Sequence, residues 1–358
     1  MKKILLLSSI LLSGLVACGG SKEPTKPTTP SIEPTPTQSS NPTPSADPTA
    51  QPSTPTPTTK EHPVERDLSI NLLCPTGAPA AAFYTYANNS KFETNNVPTN
   101  IVGEMTSTSK YEAIVIDTTS GIKAINNGAP YKLAATLTFG NFYLVSTSEE
   151  NTTIDANDNI VLFGTQAAVP YSIFHYLYDE IGLDSIEFVT NVQNAAACLV
   201  TGKNAVTGND VDWVFVAQPV LNNVLNNPNA VIHNKNIKII NIQDEYKAKT
   251  NNKELMQASL FIKNSADKTT IDNFLSTLKE DITYGLANVD HMLEGYSKVT
   301  DANVFTAKFG VPLATLEAVL PTNLLGLGYA TASERIDEIN SYIGLFNMGE
   351  ISEEIIYQ

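Results

Sequence analysis

The chain has 358 residues, a formal net charge of −15, 42% hydrophobic and 16% charged residues, three cysteines and four histidines. An acidic surface of this kind excludes nucleic acid as a main partner, because phosphate recognition needs a cationic face. Three cysteines also exclude a disulfide-built scaffold.

Residues 1–20, MKKILLLSSILLSGLVACGG, join two lysines to a short apolar run. This is the pattern of an export signal, too short and wrongly flanked for a lasting membrane span. Leu15-Val16-Ala17-Cys18 resembles a bacterial lipobox. The resemblance implies a signal peptide over 1–17 and lipid on the Cys18 thiol, and two or more acyl chains hold a protein stably on a membrane. Residues 18–66 read as a tethered linker: Pro, Thr and Ser dominate, and more than half of the 21 prolines lie there. With so little apolar surface to bury, such a stretch stays extended. A Pro/Thr-rich stalk establishes surface display without establishing activity, and a surface adhesin would carry one too. The other two cysteines, Cys74 and Cys198, read as buried thiols.

About 295 residues follow the linker, enough for two lobes with separate cores. Residues 68–74 (LSINLLC) read as a buried strand, then comes the loop Pro75-Thr76-Gly77-Ala78-Pro79 and a helix start. The same unit recurs at 111–116 (YEAIVI), followed by DTTSG. It recurs at 159–163 (NIVLF), followed by GTQAAVP and a helix over 171–181, and at 212–216 (DWVFV), followed by AQP and a helix over 220–225. Repeated strand, small-residue loop and helix predict an α/β fold with mostly parallel sheets, whose ligands gather at the carboxyl ends of the strands.

Between the second and third units lies 131–146, YKLAATLTFGNFYLVS, an apolar run broken once at Thr138-Phe139-Gly140-Asn141. It reads either as a strand that leaves one sheet and enters another, or as a hairpin, since Gly-Asn is also a turn dipeptide. A strand is expected within 231–242, and a second apolar run at 256–263 (MQASLFIK) could cross back. From Lys268 onward the chain reads as helices, over 270–288, 289–295, 301–309, 312–320 and 333–347. This order suggests two lobes joined by two crossovers: lobe 1 from 67–137 and 260–358, lobe 2 from 138–259.

With these pieces in order, the chain resembles the extracellular solute-binding lipoproteins of ABC importers, with the type 2 periplasmic-binding-protein fold. Within that family it is most similar to the nitrate, sulfonate, taurine, thiamine-precursor and riboflavin binders. The residues that carry the resemblance are PTGAPA (75–80), INNGAPYKLAATLTFGNFYLVS (125–146), VLFGTQAAVPYSIFHYLYDEIGLD (161–184), AACLVTGKNAV (196–206), DWVFVAQPVL (212–221) and DEIN-SYIGLFN (337–347). The resemblance implies a monomeric two-lobed clamshell on the outer face of the cytoplasmic membrane, which captures a small solute and hands it to permease and ATPase subunits. It implies no enzyme activity, cofactor or metal. Carried over residue by residue, the ligand contacts are Thr76, Gly77 and Ala78; Thr118 and Thr119; Thr138, Phe139, Gly140 and Asn141; Thr165, Gln166 and Ala167; Gln218; and Gln257, with Ser259 beside it. Most of these precede helix starts, where free amides favour an anionic or strongly polar group. The departure from the group is a shortage of cations, since only Lys110 and Lys123 lie near these loops. Aromatic residues are close by, so a heterocycle such as a vitamin precursor competes with a sulfonate or taurine-like solute.

Three functional classes stay open at this level: an importer component, a stalk-borne adhesin or scaffold, and an enzyme of the pyrimidine-synthase type. His62, His175, His233 and His291 show no metal-ligand spacing, and no nucleophile elbow, phosphate loop or Cys-x-x-Cys occurs. The enzyme reading requires His175 or Cys198 in the cleft.

Overall fold

The computed structural model describes residues 62–183 and 185–358. The export signal, Cys18 and the linker up to residue 61 lie outside the described residues. Eleven strands occur among them: β1 (Leu72–Pro75), β2 (Phe92–Asn95), β3 (Ala113–Asp117), β4 (Tyr131–Thr138), β5 (Phe142–Ser146), β6 (Asn159–Phe163), β7 (Ser185–Val189), β8 (Trp213–Ala217), β9 (Ile239–Asn241), β10 (Ala258–Lys263) and β11 (Leu327–Thr331). They form two sheets, ordered β11-β4-β10-β3-β1-β2 and β7-β6-β8-β5-β9. The architecture is a two-lobed α/β clamshell.

Two kinds of pairing build these sheets. The strands of the βα units, β1 with β2 and β3, and β6 with β7 and β8, are parallel. The crossover strands β5 and β10 enter antiparallel to their neighbours, as does β11, so both sheets are mixed. The reason is geometric. A chain that arrives from the other lobe has no right-handed βαβ connection to impose a parallel direction.

The 131–146 run crosses between the lobes and is not a hairpin. β4 pairs with β10 and β11 in the first sheet, while β5 pairs with β8 and β9 in the second. All but one of the residues of β4, and all those of β5, are buried. Phe139, Gly140 and Asn141 span the gap. The return path runs from the helix Ile242–Lys249 through residues 250–257 into β10. Thr138, Ala258 and Ser259, assigned to lobe 2 from sequence, are paired in the first sheet.

Capping residues set several helix starts. Asp117 accepts from Ser120 N at the head of Thr118–Asn126, Asn191 from Asn194 N at Val192–Thr201, and Asp267 from Thr270 N at Lys268–Ala287. The long helices after β10 cover one face of the first sheet, in a core that contains Cys74. A second apolar core runs through both lobes, from Leu73 and Ile114 by way of Phe142, Phe215 and Tyr246 to Tyr342. A third, with Cys198, lies on the far face of the second sheet. Both thiols are free and buried, and burial pushes them up from the usual thiol range.

Two expectations need correction. The chain after Lys268 is not wholly helical, because β11 completes the edge of the first sheet beside β4. Its glycine and short length hid it. The linker, too, ends earlier than residue 66, since residues 62–66 dock on lobe 1. Asp281 is fully buried and accepts from Thr85 Oγ1 at 2.7 Å, from Arg66 Nε at 2.9 Å, and lies 2.8 Å from His62 Nε2. A carboxylate without water needs such donors, and the last residues before β1 supply them.

Candidate functional site

The strand-end loops singled out from sequence have divergent fates. After β1, Gly77 N donates to Phe309 O at 3.0 Å, and Thr76 and Gly77 lie within 3.4 Å of the space a side chain on Gly310 would fill. This loop is covered by lobe 1 itself, and Ala78 is core. After β3, Thr118 is buried and shares a 2.7 Å hydroxyl contact with Ser259, while Thr119 donates to Asp117 Oδ1 at 2.6 Å. Burial raises the Asp117 carboxyl, opposed by the Thr119 and Ser120 bonds and by the charge of Lys123.

At the crossovers, amides bond to one another. Asn141 Nδ2 donates to Gln218 O at 2.6 Å, and Gln218 N donates to Asn141 O at 2.9 Å. Gln257 Nε2 donates to Asn141 Oδ1 at 2.8 Å, and Asn141 N returns a bond to Gln257 Oε1 at 3.2 Å. Gln218 Oε1 in turn accepts from Asn222 N at 3.0 Å. Phe139 is half-buried, its ring lies against Gly328, and its N–H donates to Gly326 O at 2.7 Å. Thr138 Oγ1 is buried without a partner. The lobes also touch directly on this flank, where Thr315 Oγ1 donates to Asn223 Oδ1 at 2.8 Å and Tyr143 OH to Leu324 O at 3.3 Å.

The opposite flank is open. A cavity of about 990 Å³ lies between the helix Thr118–Asn126 and residues 341–347 of lobe 1, and the helix Val169–Tyr178 of lobe 2. Of the residues expected at the site, Gln166 and Ala167 line it; Thr165 beside them is exposed. Its other walls are Lys123, Tyr171, Ser172, His175, Tyr176, Lys249, Ser341 and Phe346, together with Asp179 and Glu180 at the rim. Apart from Lys123, which lies beside an expected loop, and His175, which the enzyme reading singled out, none of these was named as a candidate contact from the sequence. One signal was present: Tyr171 and His175 are four apart on the helix that follows the 164–168 loop, hence on one face. In the structure the two rings stack, with centroids 5.5 Å apart and 9° between planes.

The cavity's charges are nearly balanced. His175 Nδ1 lies 3.2 Å from Asp179 and Lys249 Nζ 3.5 Å from Glu180. Lys123 has no ion-pair partner among the described residues. Behind the Ser341 wall, Tyr246 OH and Tyr342 OH are buried and unpartnered, and burial, with Asp117 opposite, holds the Tyr342 phenol well above its ordinary range.

The geometry is that of a two-lobed binding-protein fold, and comparison with solved structures supports the assignment at the level of fold. An ABC transporter structure from Parabacteroides distasonis matches with a TM-score of 0.56 at 14% identity, over 78% of this chain and 92% of that one. The periplasmic aliphatic sulphonate binding protein of Escherichia coli matches with a TM-score of 0.56 at 9% identity, over 81% and 93%. The ligand-binding component of an ABC-type import system from Staphylococcus aureus, solved with zinc bound, also scores 0.56 at 9% identity, over 82% and 97%. No family model and no curated protein matches the sequence.

Proposed function

We propose that this chain is the solute-binding component of an ABC importer, capturing a small organic solute between its lobes and delivering it to permease and ATPase subunits. The observation that carries this reading is the cavity of about 990 Å³ between two lobes whose sheets are linked by crossovers. Its size suits a metabolite or vitamin-like solute, and hinged lobes close on such ligands at little conformational expense. The fold neighbours named above, which include a sulphonate binder and an import-system component, support the same role. On this reading the solute is a sulfonate or taurine-like acid or a vitamin-like heterocycle. The predicted lipid on Cys18 and the Pro/Thr linker tether a monomer to the outer face of the membrane.

Chemistry is not required of the site. His175 is exposed and engaged with Asp179 and Tyr171. Cys198 is enclosed in the far core of lobe 2, where its thiol donates to Asn194 O at 3.2 Å, so of the two residues a pyrimidine-synthase reading would use only His175 lines the cavity. A thermal-shift screen of the chain against sulfonates, taurine, nitrate, thiamine precursors and riboflavin tests the proposal. A ligand that binds only the folded state stabilises it by about 2.7 kcal/mol at a hundredfold excess over its dissociation constant. A dose-dependent shift with one class is expected; no shift from any of them at millimolar concentration contradicts it.

A further inference from the structure

We infer that the solute is a flat aromatic ring bearing one acid group, seated on the open flank with Lys123 as its counter-charge and Tyr171, Tyr176 and Phe346 as its apolar walls. This inference rests on the reading of the cleft as the solute site and names the class of solute.

Charge is the first argument. The carboxylates of the cavity, Asp179 and Glu180, stand at its rim, 68% and 89% exposed, and each already has a partner, His175 Nδ1 at 3.2 Å and Lys249 Nζ at 3.5 Å. They offer an incoming cation little. Lys123, on the inner wall of lobe 1, is the cavity lysine without an ion-pair partner among the described residues, in a chain whose net charge is −15. Closure of the lobes would strip water from its ammonium, and a desolvated charge requires an opposite one. The position itself is unstrained, because Lys123 lies in the last turn of the helix Thr118–Asn126, where the dipole favours a cation. The acid group can be a carboxylate, sulfonate or phosphate, which share this requirement.

Shape is the second argument. Tyr171 and His175 present a parallel stack on the lobe 2 side, and Tyr176, the next residue on the same helix, also lines the cavity. Phe346 is half-buried on the lobe 1 side, its ring 5.3 Å from that of Tyr342. Aromatic surfaces on both walls favour a planar ring over an aliphatic chain of equal volume.

The test is isothermal titration of the full chain with five probes: benzoate, benzenesulfonate, benzamide, cyclohexanecarboxylate and taurine. Benzoate or benzenesulfonate is expected to bind at least tenfold more tightly than neutral benzamide, non-planar cyclohexanecarboxylate or aliphatic taurine. Lys123→Gln should weaken the aromatic acid at least tenfold and Lys123→Glu abolish its binding, while benzamide affinity stays within twofold of wild type for both and the ligand-free melting midpoint falls slightly for Lys123→Glu, which sets an anion at a helix C-terminus near Asp117. Tyr171→Leu should erase the preference of benzoate over cyclohexanecarboxylate. Equal binding by wild type and Lys123→Glu overturns this inference and leaves the solute-binding reading intact, as does a preference for taurine or benzamide. If none of these probes and none of the solutes in the wider thermal-shift panel bind, the solute-binding reading falls and this inference falls with it.

Discussion

The two flanks of the cleft are built from different kinds of residue and do different work. On the closed flank, Asn141, Gln218 and Gln257 satisfy one another, and Thr315 reaches Asn223 across the lobes. On the open flank, Lys123 has no ion partner among the described residues and Tyr171, Tyr176 and Phe346 face a cavity. Polar groups that have found partners hold a structure together; those that have not are available to a ligand. Under the proposed function, the closed flank serves as the hinge and the open flank as the way in for the solute.

This contrast can be broken most severely at Gly326. Its φ is +61°, and a Cβ there would sit 2.3 Å from the carbonyl oxygen of Gly140, backbone against backbone at the crossover. Gly326→Ala combines left-handed strain with overpacking, together roughly 3 kcal/mol. Chemical denaturation should show that loss in both the presence and absence of ligand.

The amide network comes next. Gln218→Leu removes the side-chain acceptor of Asn222 N, and leaving a buried donor unpaired costs about 1–3 kcal/mol. The melting midpoint should fall accordingly, whereas Lys123→Gln on the other flank should leave it unmoved. Equal sensitivity of the two flanks would erase the distinction.

A smaller effect is expected at the contact between lobes. Thr315→Val removes one partly buried hydrogen bond, worth about 0.5–1.5 kcal/mol. Because that bond ties the lobes, its loss should favour the open state and speed solute release more than it lowers the melting midpoint. Stopped-flow dissociation of a bound solute would show this, and an unchanged off-rate would place the bond outside the closing motion.

The smallest effect concerns pH. Asp117 has a carboxyl raised by burial, so its ionisation opposes folding. That penalty is absent below the unfolded pKa, develops as pH rises from there to the folded pKa, and is constant above both. Asp117→Asn keeps a helix cap. It should therefore be at least as stable as wild type at pH 7, with any advantage disappearing below about pH 4. A variant less stable than wild type at pH 7 would show that the carboxylate's bonds to Thr119 and Ser120 outweigh its burial.

The same contrast explains what was legible in the sequence. The α/β units announced themselves through local pattern: apolar strands ending in Thr, Gly and Ala before a helix. Gly140 in the middle of an apolar run marked a break that suited a crossing between lobes or a hairpin, and only the pairing of β4 and β5 in different sheets decides between them. β2 and β11 were obscured because edge strands such as FETN and LGYAT carry polar residues or glycine and little apolar alternation. The cavity wall was hidden for a different reason. Tyr171, His175 and Phe346 are ordinary helix-face residues until the lobes bring them together, and Gln257 meets Asn141 across 116 residues of chain. Whether a loop amide faces a solute or another amide is decided by that long-range packing. Residues 62–66 teach the same lesson, since only the buried carboxylate of Asp281 distinguishes them from the linker before them.

The most direct test of solute-dependent closure is an interlobe distance measurement. Spin labels would be placed on cysteines substituted for Asn126 in lobe 1 and Gln193 in lobe 2, both exposed, while the native Cys74 and Cys198 stay shielded in their cores. Pulsed dipolar spectroscopy, with and without a solute shown by titration to bind, should give a shorter and narrower distance distribution in the bound state. An unchanged distribution at saturating solute would contradict the clamshell account.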